Sequence, residues 1–162
     1  MLAEVRAFME VSTRSGDVGV EMDGASEGLV ENCTIENQFW QGYYYSNYNV
    51  PLRPAAASMT WRNCRNIVSV PCAGGGVQYG YTVSMPYAYT IGTVNVENCS
   101  YDLKTNTNEQ TALCISPGTV LKAYNATNIA ITSVKSITPY KLNPNSGAVT
   151  LSNITLNGSQ IN

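Results

Sequence analysis

Histidine is absent from this chain of 162 residues. That absence excludes the Ser-His-Asp and Cys-His arrangements of nucleophilic catalysis and removes the commonest zinc and iron ligand. Charge is scarce: 12% of residues carry it, and nine Lys and Arg against eleven Asp and Glu leave a net charge of −2. With no basic run, neither nucleic acid nor an anionic membrane is expected as a partner. Long apolar runs are missing too. No 18-residue span suits a membrane helix, and the opening MLAEVRAF lacks the long apolar region of a signal peptide. Five cysteines are an odd number, without a CxxC pair, so they make a poor disulfide framework and offer no metal-ligand spacing. No metal and no cofactor is expected. Helical periodicity is also lacking; VRAFMEVSTRSG, residues 5–16, comes nearest and suits a strand and turn equally well.

Asn, Thr, Ser, Val, Ile and Tyr are plentiful, which favours strands and turns. VENCTIENQ at residues 30–38 returns as VNVENCSYDL at 94–103, with weaker copies in TWRNCRNIV, NATNIAITS and TLSNITLNG. The central Asn falls at 32, 63, 98, 128 and 153, so the spacings are 31, 35, 30 and 25. A tight helical solenoid would hold its period more strictly. Variable loops on fixed strands fit better. A second anchor, a small residue opening a short apolar stretch, precedes each Asn: Gly19, Gly42, Gly76, Ala112 and Gly147. Antiparallel sandwiches do not predict one recurring turn sequence per long period. A right-handed parallel β-helix does, because equivalent residues stack on one another, and we expect about five rungs in a single domain over 1–162.

Stacked at the strand spacing of about 4.8 Å, the five Asn would form a column at a corner, where Asn tolerates the left-handed backbone. The following residues, Cys33, Cys64, Cys99, Ile129 and Ile154, are each small or apolar and are expected inside, the cysteines as buried reduced filler. Five Asn-x-Ser/Thr sequons occur, at Asn32, Asn98, Asn125, Asn153 and Asn157, but three are the column Asn itself, which a glycan would force out of its turn.

Eight of the eleven acidic residues lie in the first 36 positions. In GVEMDG, Val20 and Met22 form the natural inward pair, so Glu21 and Asp23 face outward, roughly 6–7 Å apart by strand rise. Inverting glycosidases hold two carboxyls at about 6.5–9.5 Å. Tyr44 is expected above Glu21 and Ser46 above Asp23, with Gln78 and Gly80 in the following rung. The densest aromatic region surrounds them: Phe39, Trp40, Tyr43, Tyr44, Tyr45, Tyr48, Trp61, Tyr79, Tyr81, Tyr87 and Tyr89. Alternation turns Tyr43, Tyr45 and Tyr79 inward. Trp40, Tyr44 and Tyr48 remain as flat faces for sugar C–H groups, with Gln78 as a hydrogen-bonding neighbour. Two loops rich in Pro, Gly and Tyr flank this region, a composition suited to building a site. The GGG at 74–76 lacks the Gly-Lys-Ser/Thr of a phosphate loop.

GVEMDGASEGLVENCTIEN followed by a long aromatic loop resembles the pectate-lyase-like β-helices, in particular those of bacteriophage tailspikes and appendages. The likeness is one of repeat style over most of the chain. It implies a homotrimer of side-by-side coils in a virion tail or extracellular setting, with bacterial surface polysaccharide as the ligand. Where such a protein is an enzyme, the resemblance implies glycoside hydrolysis by acidic residues on an outer face, here Glu21 and Asp23, and not the lyase chemistry that needs calcium-binding aspartates and a nearby base. The alternative is a structural shaft or adhesin module without glycan activity of its own. Five rungs stack to only about 24 Å, and no amphipathic cap is apparent, so the chain reads as a fragment or a module stacked on a neighbour.

Overall fold

The structure is a computed structural model that describes residues 2–6, 10–12, 18–23, 27–36, 41–46, 58–69, 78–84, 90–103, 110–115, 120–121, 123–127, 130–131, 137–141, 148–156 and 158–161. Every regular element among them is a β-strand. The first circuit of the chain is β1 (Leu2–Arg6), β2 (Glu10–Ser12) and β3 (Val18–Asp23), and the second is β4 (Glu27–Glu31), β5 (Thr34–Glu36) and β6 (Gln41–Ser46). The third is β7 (Ser58–Arg62), β8 (Arg65–Val68) and β9 (Gln78–Ser84). A short β10 (Thr90–Ile91) precedes β11 (Thr93–Glu97), β12 (Ser100–Leu103) and β13 (Gln110–Ile115). Likewise β14 (Val120–Leu121) precedes β15 (Ala123–Thr127), β16 (Ala130–Ile131) and β17 (Ile137–Lys141). The chain continues with β18 (Ala148–Ser152), β19 (Thr155–Leu156) and β20 (Ser159–Gln160).

Successive strands are dealt to three sheets in a fixed order. The first sheet runs β1-β4-β7-β11-β15-β18, the second β2-β5-β8-β12-β16-β19-β20, and the third β3-β6-β9-β13-β17; β10 and β14 pair separately. Pairing is parallel throughout the described strands, except that β20 runs antiparallel to β19. The first sheet is six strands deep, one more than the Asn repeat predicts. The extra strand, β1, pairs with β4 through Leu2–Arg6, a segment with no Asn-Cys turn behind it.

The turn between the first and second sheets is where the repeat is written. Asn32, Asn63, Asn98 and Asn153 have φ of 57, 51, 50 and 54°, the left-handed region, which costs an ordinary L-residue about 1–2 kcal/mol. Asn tolerates it, and its amide adds a bond along the stack: Asn63 Nδ2 donates to Asn32 Oδ1 at 3.2 Å. Main-chain bonds lock the same corner between circuits. Asn32 N donates to Arg62 O at 3.0 Å, Asn63 N to Glu97 O at 2.9 Å, and Asn98 N to Thr127 O at 2.9 Å. Asn128 lies outside the described residues. Behind the turn, Cys33, Cys64, Cys99 and Ile154 are buried as expected, the cysteines as free thiols whose Sγ atoms donate to nearby carbonyls such as Glu31 O, Arg62 O and Glu97 O at 3.3 Å.

Alternation builds the core. In β7 and β11, Met59, Trp61, Val94 and Val96 are fully buried, while the residues between them are half-buried. Tyr43 and Tyr45 of β6 are buried, as the sequence predicts, and so are Tyr81 and Trp61, which belong to the core and not to an aromatic surface. Tyr79's side chain lies outside the description. Tyr43 and Tyr81 stack at 5.0 Å, their planes within 3°. Each phenol reaches from the third sheet to the opposite corner: Tyr43 Oη donates one proton shared between Cys33 O at 2.8 Å and Arg65 O at 3.0 Å, and Tyr81 Oη does the same to Cys64 O at 2.9 Å and Ser100 O at 3.0 Å. These rings are struts as wide as the interior.

Where the chain enters the third sheet, Gly42 lies beside Gly19 and Gly80, between the Gln41 pair with Tyr79 and the Tyr43 pairs with Val20 and Tyr81. A Cβ on Gly42 would fall on the Asn66 side chain and lie 2.8 Å from Gly80 O. Glycine is therefore required by close approach. Gly80, and not Gly76 as the sequence reading has it, takes the third place in this column; Gly76 and Gly147 lie outside the described residues.

Candidate functional site

The third sheet positions the residues that the sequence singles out as candidates. Because Val20, Met22, Tyr43 and Tyr45 turn inward, Glu21 and Tyr44 turn outward, and the register sets Glu21 against Tyr44 and Asp23 against Ser46. Glu21 is exposed and Tyr44 is half-buried. Their Cα atoms are thus one strand spacing apart, about 4.8 Å, and Glu21 and Asp23 are separated by two residues of strand, roughly 6–7 Å. The backbone of Asp23 is described; its side chain is not.

The next strand departs from the sequence reading. Tyr44 is followed by Thr82, and Ser46 by Ser84. Gln78 is four residues upstream of Thr82, beside Tyr79, which pairs with Gln41. Gln78 therefore does not continue the column of Glu21 and Tyr44, and its side chain lies outside the description, as do Trp40 and Tyr48 altogether. The signal that finds Thr82 is in the sequence: GYYYS at 42–46 aligns with GYTVS at 80–84. Thr82 is 1% exposed although it faces outward, and its Oγ1 has no hydrogen-bond partner. Burying a hydroxyl without a partner costs about 1–3 kcal/mol, so this atom marks a place where a polar group belongs.

No family model, curated protein or solved structure matches this chain. What the outer face can do rests on its own chemistry.

Elsewhere the outward residues are engaged with one another. On the first sheet Asn125 Nδ2 donates to Asn95 Oδ1 at 3.1 Å and Asn95 Nδ2 to Thr60 Oγ1 at 3.2 Å. In the next column Arg62 donates through Nε to Glu97 Oε2 at 2.7 Å and lies 3.8 Å from Glu31. On the second sheet Arg65 pairs with Asp102, which is 5% exposed, and Ser69 Oγ meets Glu36 Oε1 at 3.4 Å. These contacts run along the stack and tie successive circuits together. Solvent screens half-exposed pairs such as Arg62 and Glu97, so each is a weak tie.

The phenols of Tyr43, Tyr81 and Tyr101 and the Cys99 thiol are held in their protonated forms. Burial pushes the Tyr43, Tyr81 and Tyr101 phenols well above their ordinary value, and burial likewise raises the Cys99 thiol. Their protonated forms serve the core. Among the described residues, no group of three His, Cys, Asp or Glu could hold a metal ion, and no helix is long and apolar enough to cross a membrane.

Proposed function

We propose that the three parallel sheets are the sides of a right-handed parallel β-helix whose third face binds bacterial surface polysaccharide. Two arguments support the geometry: successive circuits supply strands to the sheets in the same order, parallel to their neighbours apart from β20, and crossovers between parallel strands of one sheet are right-handed in about 98% of cases. The observation that carries the function is the outward pair of Glu21 and Tyr44, in register beside the backbone pair of Asp23 and Ser46. A carboxylate and a phenol on one outer face suit sugar hydroxyls and C–H surfaces. Trp40 and Tyr48, outside the described residues, and Gln78 are proposed as its further sugar contacts. In a phage appendage three such coils would stand side by side as a homotrimer, in a virion tail or an extracellular setting, as one module of a longer tailspike-like protein.

Glycan cleavage, where it occurs, is assigned to Glu21 and Asp23, one protonated to assist the leaving oxygen and the other ionised to activate water. A glycan array paired with a reducing-end assay tests the reading. Trp40→Ala is expected to weaken binding, and Glu21→Gln or Asp23→Asn to abolish cleavage while binding persists. A glycan-active protein in which these changes leave both properties intact would reject the site.

The second reading is a structural shaft. It is favoured by the ladders of Thr60, Asn95 and Asn125 and of Glu31, Arg62 and Glu97, whose polar groups are spent on neighbouring circuits. Absence of binding to any surface glycan decides for it.

A further inference from the structure

A parallel sheet has two unlike edges, and each accepts a strand of the same direction. The edge of β19 away from β16 is therefore a place where a further parallel strand would add. It is already taken. β20 lies on it antiparallel, with Thr155 opposite Gln160 and Leu156 opposite Ser159. Gly158, exposed and at φ 77°, turns the chain back through the Asn-Gly dipeptide that two-residue hairpins favour.

The following residue completes the imitation. Between circuits, Arg65 N donates to Cys33 O at 2.8 Å and Ser100 N to Cys64 O at 2.9 Å. Ile154 occupies the same place in the repeat as those cysteines, and its carbonyl receives Ile161 N at 2.9 Å. Thus Ile161 supplies the bond that a next circuit would have made, but from a strand whose reversed direction another circuit cannot follow in register.

We propose that β20 is a stop strand, which keeps the second sheet from continuing into another copy of this chain. The occupant it excludes is that second copy. Within their sheets β1 runs in the same direction as β18 and β2 as β19, and the far sides of β1, β2 and β3 have no partner among the described residues. A head-to-tail contact between such unlike edges stacks copies along one axis and grows as an open filament where its rotation closes no ring. β18 carries no comparable cover among the described residues, so the block rests on one sheet of the three. The inference is independent of what the outer face binds.

Two substitutions remove the stop with little loss of core. Gly158→Val opposes the positive φ in open space, and Ile161→Pro deletes the donor to Ile154 at a residue that is 41% exposed. In sedimentation velocity the unaltered chain is expected to keep one mass across concentrations. Both variants should show a mass that rises with concentration, with linear particles under the electron microscope, whereas Ile161→Ala, which retains the N–H, behaves as the unaltered chain. Variants that hold the same fixed mass, or an unaltered chain that already grows, would overturn the proposal. Should the variants not fold, the unaltered chain in mild denaturant decides: the condition at which hydrogen exchange opens Ile161 before Val94 must also start growth. Opening without growth rejects the stop strand.

Discussion

Asn63 offers the sharpest test of how this sequence encodes its turns. It sits in the middle of the column at φ 51°, exposed, with Nδ2 on Asn32 Oδ1. Asn63→Ala removes the amide and with it the local hydrogen bonding that lets Asn, which also carries a Cβ, tolerate the left-handed region. The backbone strain costs about 1–2 kcal/mol, and loss of an exposed hydrogen bond adds about 0.5 kcal/mol, so the expected destabilisation is about 2 kcal/mol. Asn63→Gly also loses the amide but carries no strain. Its cost is instead the extra freedom of glycine in the unfolded chain, about 0.4–1 kcal/mol, which brings the total to about 1 kcal/mol. Glycine should therefore be the better replacement here.

The ordering should reverse at Asn95. This residue also donates along the stack, to Thr60, but it lies within β11 with no positive φ. There alanine needs no unusual conformation, and Asn95→Gly should be worse than Asn95→Ala by about 0.5–1 kcal/mol. Urea unfolding followed by circular dichroism reads both pairs. Thermal midpoints should shift by about 2–4 °C per kcal/mol in a chain of this length. If glycine and alanine rank alike at the two positions, the column is not a conformational device, and the turn reading fails.

Two further outcomes follow from the interior. Gly42→Ala should destabilise by about 1–3 kcal/mol because its Cβ collides with Asn66 and Gly80 O; a double-mutant cycle with Asn66→Ala should return part of that loss, and strict additivity would show that the two do not meet. The buried phenols set the alkaline limit. Tyr43, Tyr81 and Tyr101 have folded-state values raised above the unfolded one, so the folded state holds protons that the unfolded state releases. Their contribution is fully present below pH of about 10 and falls above it by up to about 1.4 kcal/mol per pH unit for each phenol. Phenolate absorbance from these three should appear only together with loss of the far-ultraviolet dichroism; full ionisation of all eleven tyrosines in a folded chain would contradict their burial.

The parts of the fold legible in the sequence are those where a single residue type is forced. A left-handed corner repeated in every circuit admits few side chains, so Asn32, Asn63, Asn98 and Asn153 announce it. The inward site behind it tolerates only small or apolar groups, which made Cys33, Cys64 and Cys99 readable as core. Strict alternation gave Glu21 and Tyr44 one outward face. Alternation has no memory across a long loop, however. The register of β9 against β6 hangs on where the corner glycine lies, and GGG at 74–76 offers a decoy six to four residues before Gly80. With Gly76 as the corner, Gln78 falls in a column that belongs to Thr82.

The two ends of the stack were less visible for a related reason. Neighbouring circuits confirm an internal repeat from both sides, whereas a terminal strand is checked from one side only. β1 and β2 pair in register with β4 and β5 but lack the Asn-Cys signature, so repeat counting passes over them. At the other end Asn157-Gly158 is a strong hairpin signal that also reads as a sequon, and the shared dipeptide hid the reversal of β20. Terminal strands need a different sequence from internal ones, because an edge that repeated the internal pattern would invite another strand. At β20 the departure from the repeat accompanies a reversal of strand direction, and a count of repeats has no term for a reversed strand.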